Sequence, residues 1–119
     1  MRVARVAAAV IALGLAAVSA GAHSFPERSE PRVGGVVRTP PSQVRIWFDG
    51  ELEPAFSRIQ VTDAEGHAVH RGEARVDSRD RHLLTVDLGP LTPGRYTVRW
   101  SVLAVDGHRT EGDFAFTLR

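Results

Sequence analysis

Apolar residues recur at every second position through most of the chain after residue 40. This two-residue period is typical of β-strands that bury one face, and clusters of Gly, Pro and Asp separate the alternating stretches. No stretch after residue 22 has the spacing of an amphipathic helix. The alternating apolar positions, in chain order, are Val44-Ile46-Phe48, Ile59-Val61, Leu84-Val86-Leu88, Tyr96-Val98-Trp100-Val102 and Phe114-Phe116-Leu118.

Weaker signals lie between these stretches. Residues 23–31 are polar and marked by proline, which predicts an extended arm, and residues 33–37 predict a short edge strand or bulge. Residues 67–71 predict a short partner strand, whereas the charged run 75–81 predicts a loop. About seven short strands predict an all-β, immunoglobulin-like (Greek-key) β-sandwich. The chain has no cysteine, so this sandwich has no disulfide.

The first 22 residues have the layout of a secretory signal peptide. Arg2 and Arg5 give a basic head, residues 6–18 are apolar or small, and residues 19–22 are small. The apolar run is shorter than the roughly 20 residues of a membrane-spanning helix. Small residues allow cleavage after Ala20 or after Ala22, and we favour Ala22. The prediction is a signal peptide at 1–22 and one exported domain at 23–119.

Composition limits the partners of the exported domain. The leader carries two of the 15 basic residues and none of the 14 acidic ones, so the domain has a formal net charge of −1. We therefore expect no nucleic-acid partner, since such proteins present basic patches. The chain has no cysteine and its one methionine is Met1. The domain therefore offers a metal ion nitrogen and oxygen ligands but no sulfur.

Asp106 and His108 are the first candidate metal ligands. They are two residues apart, and in an extended chain this spacing puts both side chains on one face. The intervening Gly107 completes an Asp-Gly pair between two strand patterns, which is a strong hairpin signal. The segment is therefore either a hairpin turn with an incidental histidine or a turn that presents two ligands, and the two interpretations are compatible.

His23 is the third candidate, because cleavage after Ala22 would make it the first residue. Its α-amine and imidazole could then chelate one metal ion, an arrangement that suits Cu(II). The alternative is an exposed histidine at a frayed end. Together with Asp106 and His108, His23 would supply three nitrogens and one oxygen, which is a Cu(II) ligand set.

The exported domain resembles the CopC family of copper-binding proteins over residues 23–119. The resemblance implies an immunoglobulin-like β-sandwich, a periplasmic location and one Cu(II) ion bound by His23, Asp106 and His108. It rests on the order and spacing of several pieces. These are the leading His23, Ser29-Glu30-Pro31-Arg32-Val33-Gly34-Gly35, Pro40-Pro41-Ser42-Gln43-Val44-Arg45-Ile46-Trp47-Phe48, Gly94-Arg95-Tyr96-Thr97-Val98-Arg99-Trp100, Asp106-Gly107-His108 and Gly112-Asp113-Phe114-Ala115-Phe116.

The chain departs from the family pattern in three places. It lacks the methionine-rich loop that binds Cu(I) in some relatives, so we expect no soft-ligand Cu(I) site. Some relatives have an acid where this chain has Gly50, and the flanking Asp49 and Glu51 are further candidates to approach the metal. Ser24 follows the leading histidine, where a small apolar residue or proline is common.

Other residues carry weaker signals. His67, His70 and His82 could form a second metal site or be scattered surface imidazoles, and we favour the latter. Trp47 alternates with the apolar face of its strand, so it either covers the metal site or lies on the sheet surface. Trp100 is predicted to lie in the core.

The predicted function is non-enzymatic: a periplasmic, monomeric Cu(II)-binding protein for copper sequestration, resistance or delivery. The resemblance implies an inner-membrane copper-transport protein as the partner. One alternative is a small copper-dependent oxidase of the amino-terminal-histidine type, for which the short domain leaves little substrate surface. Another is a metal-free immunoglobulin-like interaction domain.

Overall fold

The computed structural model describes residues 24–119, which form two packed β-sheets. The strands owe their positions to the alternating stretches, whose apolar side chains can all be buried only between two sheets. One turn of 3₁₀ helix lies at Pro54–Phe56. The strands are β1 (Pro26–Glu30), β2 (Val36–Val37), β3 (Gln43–Phe48), β4 (Arg58–Thr62), β5 (His70–Val76), β6 (Leu83–Leu88), β7 (Gly94–Leu103) and β8 (Arg109–Leu118).

The sheets are arranged as in an immunoglobulin-like sandwich. One sheet has the strand order β1-β3-β6-β5 and the other has the order β2-β8-β7-β4. The constant-type immunoglobulin domain has the same order in its ABED and GFC sheets, with β2 added here as a short strand parallel to β8. The predicted β-sandwich is therefore confirmed.

The core lies between the sheets and consists of the predicted alternating residues. Phe48 and Phe116 are almost fully buried, one from each sheet, and Trp100 is buried as predicted. The Trp100 ring crosses over Gly112, its partner on β8, and a Cβ atom at Gly112 would lie 2.6 Å from Trp100 Cζ2. A glycine in the middle of a strand thus makes room for the largest side chain in the core.

Tyr96 stabilises the start of β7 through hydrogen bonds to the preceding loop. Its hydroxyl donates a hydrogen bond to the carbonyl oxygen of Thr92, and the backbone N–H of Thr92 donates to the Tyr96 oxygen at 3.1 Å. Its ring stacks on Phe116 with ring centroids 5.3 Å apart. This is the tyrosine corner of Greek-key sandwiches, here at the start of the strand that corresponds to F.

Two local predictions are corrected. Residues 75 and 76, predicted as part of a loop, belong to β5, where Arg75 pairs with Thr85 and Val76 with Leu84. The arm contains a strand, β1, that pairs antiparallel with β3. The described residues therefore contain eight strands rather than about seven. None of their helices is long and apolar enough to cross a membrane.

Candidate metal site

The Asp106–His108 segment is the turn that joins the two longest strands at one end of the sandwich. β7 and β8 pair continuously from Gly94 with Leu118 to Leu103 with Arg109. Beyond that pair, the Ala104 N–H donates to the His108 carbonyl at 2.9 Å, and the Gly107 N–H donates back to the Ala104 carbonyl at 2.9 Å. Gly107 has φ of +93°, a conformation that L side chains rarely adopt. The hairpin predicted from Asp-Gly is therefore present.

This turn brings the two candidate ligands together. The Asp106 Oδ1 atom accepts a hydrogen bond from the His108 backbone N–H at 3.0 Å and lies 3.2 Å from His108 Nδ1. Both side chains remain accessible, with exposed fractions of 36% for Asp106 and 52% for His108. A carboxylate and an imidazole thus meet at a solvent-facing edge, where a cation can reach both.

A neighbouring segment holds the turn from the other side. The Val105 N–H donates to the Glu51 carbonyl at 3.1 Å, and the Glu53 N–H donates to the Leu103 carbonyl at 2.8 Å. Between these bonds, the fully buried Leu52 forms an isolated antiparallel bridge with Ala104. The β7 side of the turn is therefore fixed by backbone hydrogen bonds to residues 51–53.

The start of the described chain is fastened to the same end of the sandwich. The Thr110 hydroxyl donates a hydrogen bond to the carbonyl oxygen of the fully buried Ser24. Thr110 lies on β8, two residues after His108, so the contact places Ser24 beside the turn. His23, which precedes Ser24, lies outside the described residues, and its proposed ligand role is therefore not tested by the structure.

Asp49 and Glu51, the two acids flanking Gly50, have structural contacts at this end. The Asp49 carboxylate accepts a hydrogen bond from the Phe25 N–H at 2.7 Å, and the Asp49 N–H donates to the Phe25 carbonyl at 2.9 Å. The Glu51 carbonyl receives the Val105 N–H. The sequence considered alone does not reveal that Asp49 anchors Phe25, although an Asp directly after a strand is a common backbone acceptor.

The remaining histidines do not converge. His67 lies on an exposed turn, 3.5 Å from Asp63 and 3.6 Å from Glu65, whereas His70 Nδ1 contacts the Val61 backbone and His82 Nδ1 contacts the Phe48 carbonyl. Within residues 24–119 no group of three or more His, Asp or Glu side chains is placed to hold a metal ion. In the described part of the chain these three histidines make separate contacts.

In the turn around His67, the half-buried carboxylate of Asp63 binds backbone N–H groups. Asp63 Oδ1 accepts the backbone N–H groups of His67 and Glu65, each at 2.9 Å. The hydrogen bond from the His67 backbone is the main reason that the pKa of Asp63 is lower than its usual value, and the bond from Glu65 lowers it further. Asp63 therefore stabilises a turn, which is a sufficient reason for its presence.

Trp47 lies on the outer surface of its sheet between two arginines. The Arg28 guanidinium is 3.7 Å from the ring centroid and that of Arg45 is 5.0 Å away. Cation–π contacts of this kind stabilise an aromatic ring at a surface. Of the two interpretations left open by the sequence, the structure supports the sheet-surface one.

Comparison with known proteins gives the family. The CopC domain model matches residues 26–119, almost all of the described chain. The chain is 30% identical to Protein YobA of Escherichia coli over 97% of its own length and 94% of that protein. It is 28% identical to the copper transport protein CutJ of Bacillus subtilis, over 82% of this chain but only 18% of CutJ.

A solved structure agrees with this assignment. CopC from Methylosinus trichosporium OB3b superposes with a TM-score of 0.76 and 35% sequence identity, covering 81% of this chain and 93% of that one. The resemblance inferred from motifs, the family model and the superposed fold all point to the same group. The chain belongs to the CopC family.

Proposed function

We propose that the protein is an exported carrier that binds one Cu(II) ion through His23, Asp106 and His108, and that it sequesters the ion or delivers it to a copper-transport protein. In this proposal the leader is removed after Ala22, the protein works in the periplasm as a monomer, and it catalyses no reaction. Copper is the cargo of such a protein rather than a catalytic cofactor.

The observation that carries the proposal is the anchoring of Ser24 beside the Asp106–His108 turn. Consecutive Cα atoms are about 3.8 Å apart, so the residue that precedes Ser24 is joined directly to an anchored residue. Ser24 is in turn fixed to Thr110, two residues from His108. This contact supports a site built from the leading histidine and the turn, although the two are more than 80 positions apart in the sequence.

The available donors fit copper. The turn supplies one carboxylate oxygen and one imidazole, both partly exposed. A leading histidine would add an amine and a second imidazole. Nitrogen and oxygen donors in this ratio suit Cu(II), and the absence of cysteine and of methionine other than Met1 leaves no sulfur ligand for Cu(I).

The relatives support a role in copper handling rather than catalysis. CutJ is named a copper transport protein, and a segment similar to this chain makes up 18% of its length. A further relative from Xanthomonas campestris is named copper resistance protein C. A segment of this type inside a longer transport protein supports the proposal that the present chain passes copper to a membrane partner.

A Cu(II) competition titration tests the proposal. The exported, naturally cleaved protein is compared with a version that carries one extra residue before His23, and intact mass identifies the first residue of each. We expect the natural protein to bind one Cu(II). The extended version and His108→Ala should bind Cu(II) more than about 100-fold more weakly. Such a loss is larger than the loss of affinity that usually follows when a residue that only supports a metal ligand is removed.

His67→Ala is the matched control, because it removes an imidazole from the opposite end of the sandwich. β4 runs antiparallel to β7 from Arg58 opposite Ser101 to Thr62 opposite Thr97, which puts the His67 turn away from His108. This variant should bind Cu(II) like the natural protein. Equal binding by the natural protein, the extended version and His108→Ala would contradict the proposed site, as would a natural first residue other than His23.

A further inference from the structure

The first described residues, Ser24 and Phe25, are held between the two sheets at the end of the sandwich that carries the Asp106–His108 turn, the proposed metal-binding end. Ser24 is bonded through its carbonyl to Thr110 of β8, which belongs to one sheet. Phe25 exchanges two hydrogen bonds with Asp49, which directly follows β3 of the other sheet. The segment therefore closes this end of the sandwich and is fixed at two consecutive residues.

Thr110 is suited to this contact by its place on β8. It shares the inward face of the strand with Gly112, Phe114 and Phe116, but it stands nearest the open end, opposite Val102. Its hydroxyl can therefore reach across to the segment that covers the end. No sequence signal predicts the contact, because the two residues are 86 positions apart.

Gly50 makes room for Ser24. A Cβ atom at Gly50 would lie 2.5 Å from Ser24 Oγ but 3.7 Å from Ser24 Cβ. Ser24 is fully buried, and its hydroxyl has no hydrogen-bond partner among residues 24–119. A buried hydroxyl that gains no bond there is not held by its own polar contact, so backbone bonding and the space at Gly50 determine the position of Ser24.

We infer that Thr110 and Gly50 are positioning residues for the metal site: Thr110 fastens Ser24 beside the Asp106–His108 turn, and Gly50 provides the space that Ser24 occupies there. The inference rests on the proposed copper function and extends it to residues that do not bind the metal. Fixing Ser24 in advance reduces the chain entropy that the leading residue loses when it binds an ion.

Thr110→Val tests the first part, because valine keeps the shape and strand preference of threonine but cannot donate. We expect Cu(II) affinity to fall about tenfold, within the range seen when an outer partner of a metal ligand is lost. Thr110→Ser keeps the hydroxyl and should restore most of the affinity. Thr117→Val, toward the far end of the same strand, is the matched control and should bind normally.

A measurement without metal separates positioning from a general loss of structure. In the metal-free Thr110→Val protein, hydrogen exchange at the Phe25 amide should quicken, while amides of the buried strand β6 keep their protection. Unchanged Cu(II) affinity in Thr110→Val, or equal acceleration of exchange throughout the protein, would overturn the role of Thr110.

Gly50→Ala tests the second part through a rescue. The single variant forces Ser24 to shift and should weaken Cu(II) binding about threefold to tenfold, again as an outer-partner effect. In the double variant Gly50→Ala with Ser24→Ala, the nearest side-chain contact becomes 3.7 Å, an ordinary van der Waals distance, and affinity should recover. Equal weakening in both proteins, or none in the single variant, would overturn the role of Gly50.

The outcomes distinguish this inference from the proposed function. If His108→Ala abolishes Cu(II) binding while Thr110→Val and Gly50→Ala bind like the natural protein, the carrier function stands and the positioning roles are wrong. If His108→Ala binds Cu(II) like the natural protein, the proposed site itself fails.

Discussion

The core between the sheets and the end of the sandwich that carries the Asp106–His108 turn are held together by different kinds of contact. In the core, side chains such as Val44, Phe48 and Phe116 are almost fully buried and belong to one cluster of hydrophobic residues. At the end that carries the Asp106–His108 turn, these two side chains are partly exposed and hydrogen bonds join the chain segments. Stability should therefore reside in the core and copper affinity at the end, so that substitutions can separate the two.

The largest expected effect is on the core. Phe116→Ala removes a buried ring that stacks on Tyr96, leaving a cavity, and should lower the free energy of unfolding by about 3–5 kcal/mol. This is a large fraction of the 5–15 kcal/mol typical of a small domain. Urea unfolding of the metal-free protein measures the loss. Val36→Ala, at a side chain that is 53% exposed, is the control and should change stability by less than about 0.5 kcal/mol.

Copper binding by the same variant sharpens the comparison. At temperatures where Phe116→Ala remains folded, its Cu(II) affinity should stay within about twofold of the natural protein, because the ring lies far down the strand from Arg109 and the turn. A tenfold loss of affinity in the folded variant would show that core packing also shapes the site.

Gly107→Ala should affect both stability and copper affinity, because the turn belongs to the fold and also carries the proposed ligands. At φ of +93° an alanine side chain is strained, which should cost about 1–2 kcal/mol of stability. Because Asp106 and His108 flank this residue, Cu(II) affinity should fall roughly tenfold as well. Urea unfolding and Cu(II) competition measure the two effects.

Gly66→Ala is the matched control for that prediction. Gly66 has φ of +85° in the turn at the opposite end, and neither glycine has an atom within 4 Å of an added Cβ. The control should lose similar stability and keep full Cu(II) affinity. Equal losses of affinity in both variants would mean that backbone strain anywhere in the sandwich reaches the site.

The same contrast explains which parts of the fold and of the candidate site can be predicted from the sequence. Alternation identified the core strands because every second side chain is buried against the other sheet. The Asp106–His108 turn is also predictable, since Asp-Gly is typical of a hairpin and a two-residue spacing keeps the two candidate ligands together. Both features are local in the sequence.

The parts that the sequence did not predict depend on non-local contacts or irregular strands. The charged run from Arg75 predicts a loop, yet Arg75 and Val76 pair with β6. The register of β5 with β6 shifts between Arg71 and Arg75, around Gly72 with φ of +68°, and this bulge disrupts the alternation of the strand. Strand β1 buries only Ser29, so backbone pairing with β3 holds it without an apolar pattern. The contact between Ser24 and Thr110 leaves no local pattern at all.

The smallest expected effect concerns a third kind of contact, an ion pair on the outer face of a sheet. Arg75 on β5 donates two hydrogen bonds to Asp87 on β6, at 3.1 and 3.2 Å, and Gln43 donates a third at 2.9 Å. The hydrogen bonds from Arg75 are the main reason that the pKa of Asp87 is below the usual 3.8, and the bond from Gln43 lowers it further. Both members of the pair are about half exposed, so the contribution to stability should be small.

Asp87→Asn makes that contribution visible through pH. Because folding lowers the pKa of Asp87, the stabilisation is complete above the unfolded pKa of 3.8 and is lost as the pH falls through the lower folded value. The variant should therefore be slightly less stable than the natural protein at pH 7, and the difference should shrink between pH 4 and pH 2. Urea unfolding at several pH values measures it, with Glu73→Gln on the neighbouring strand β5 as the control. A difference that stays constant, or grows in acid, would mean that the stability difference at Asp87 comes from packing or hydrogen bonding that is independent of charge.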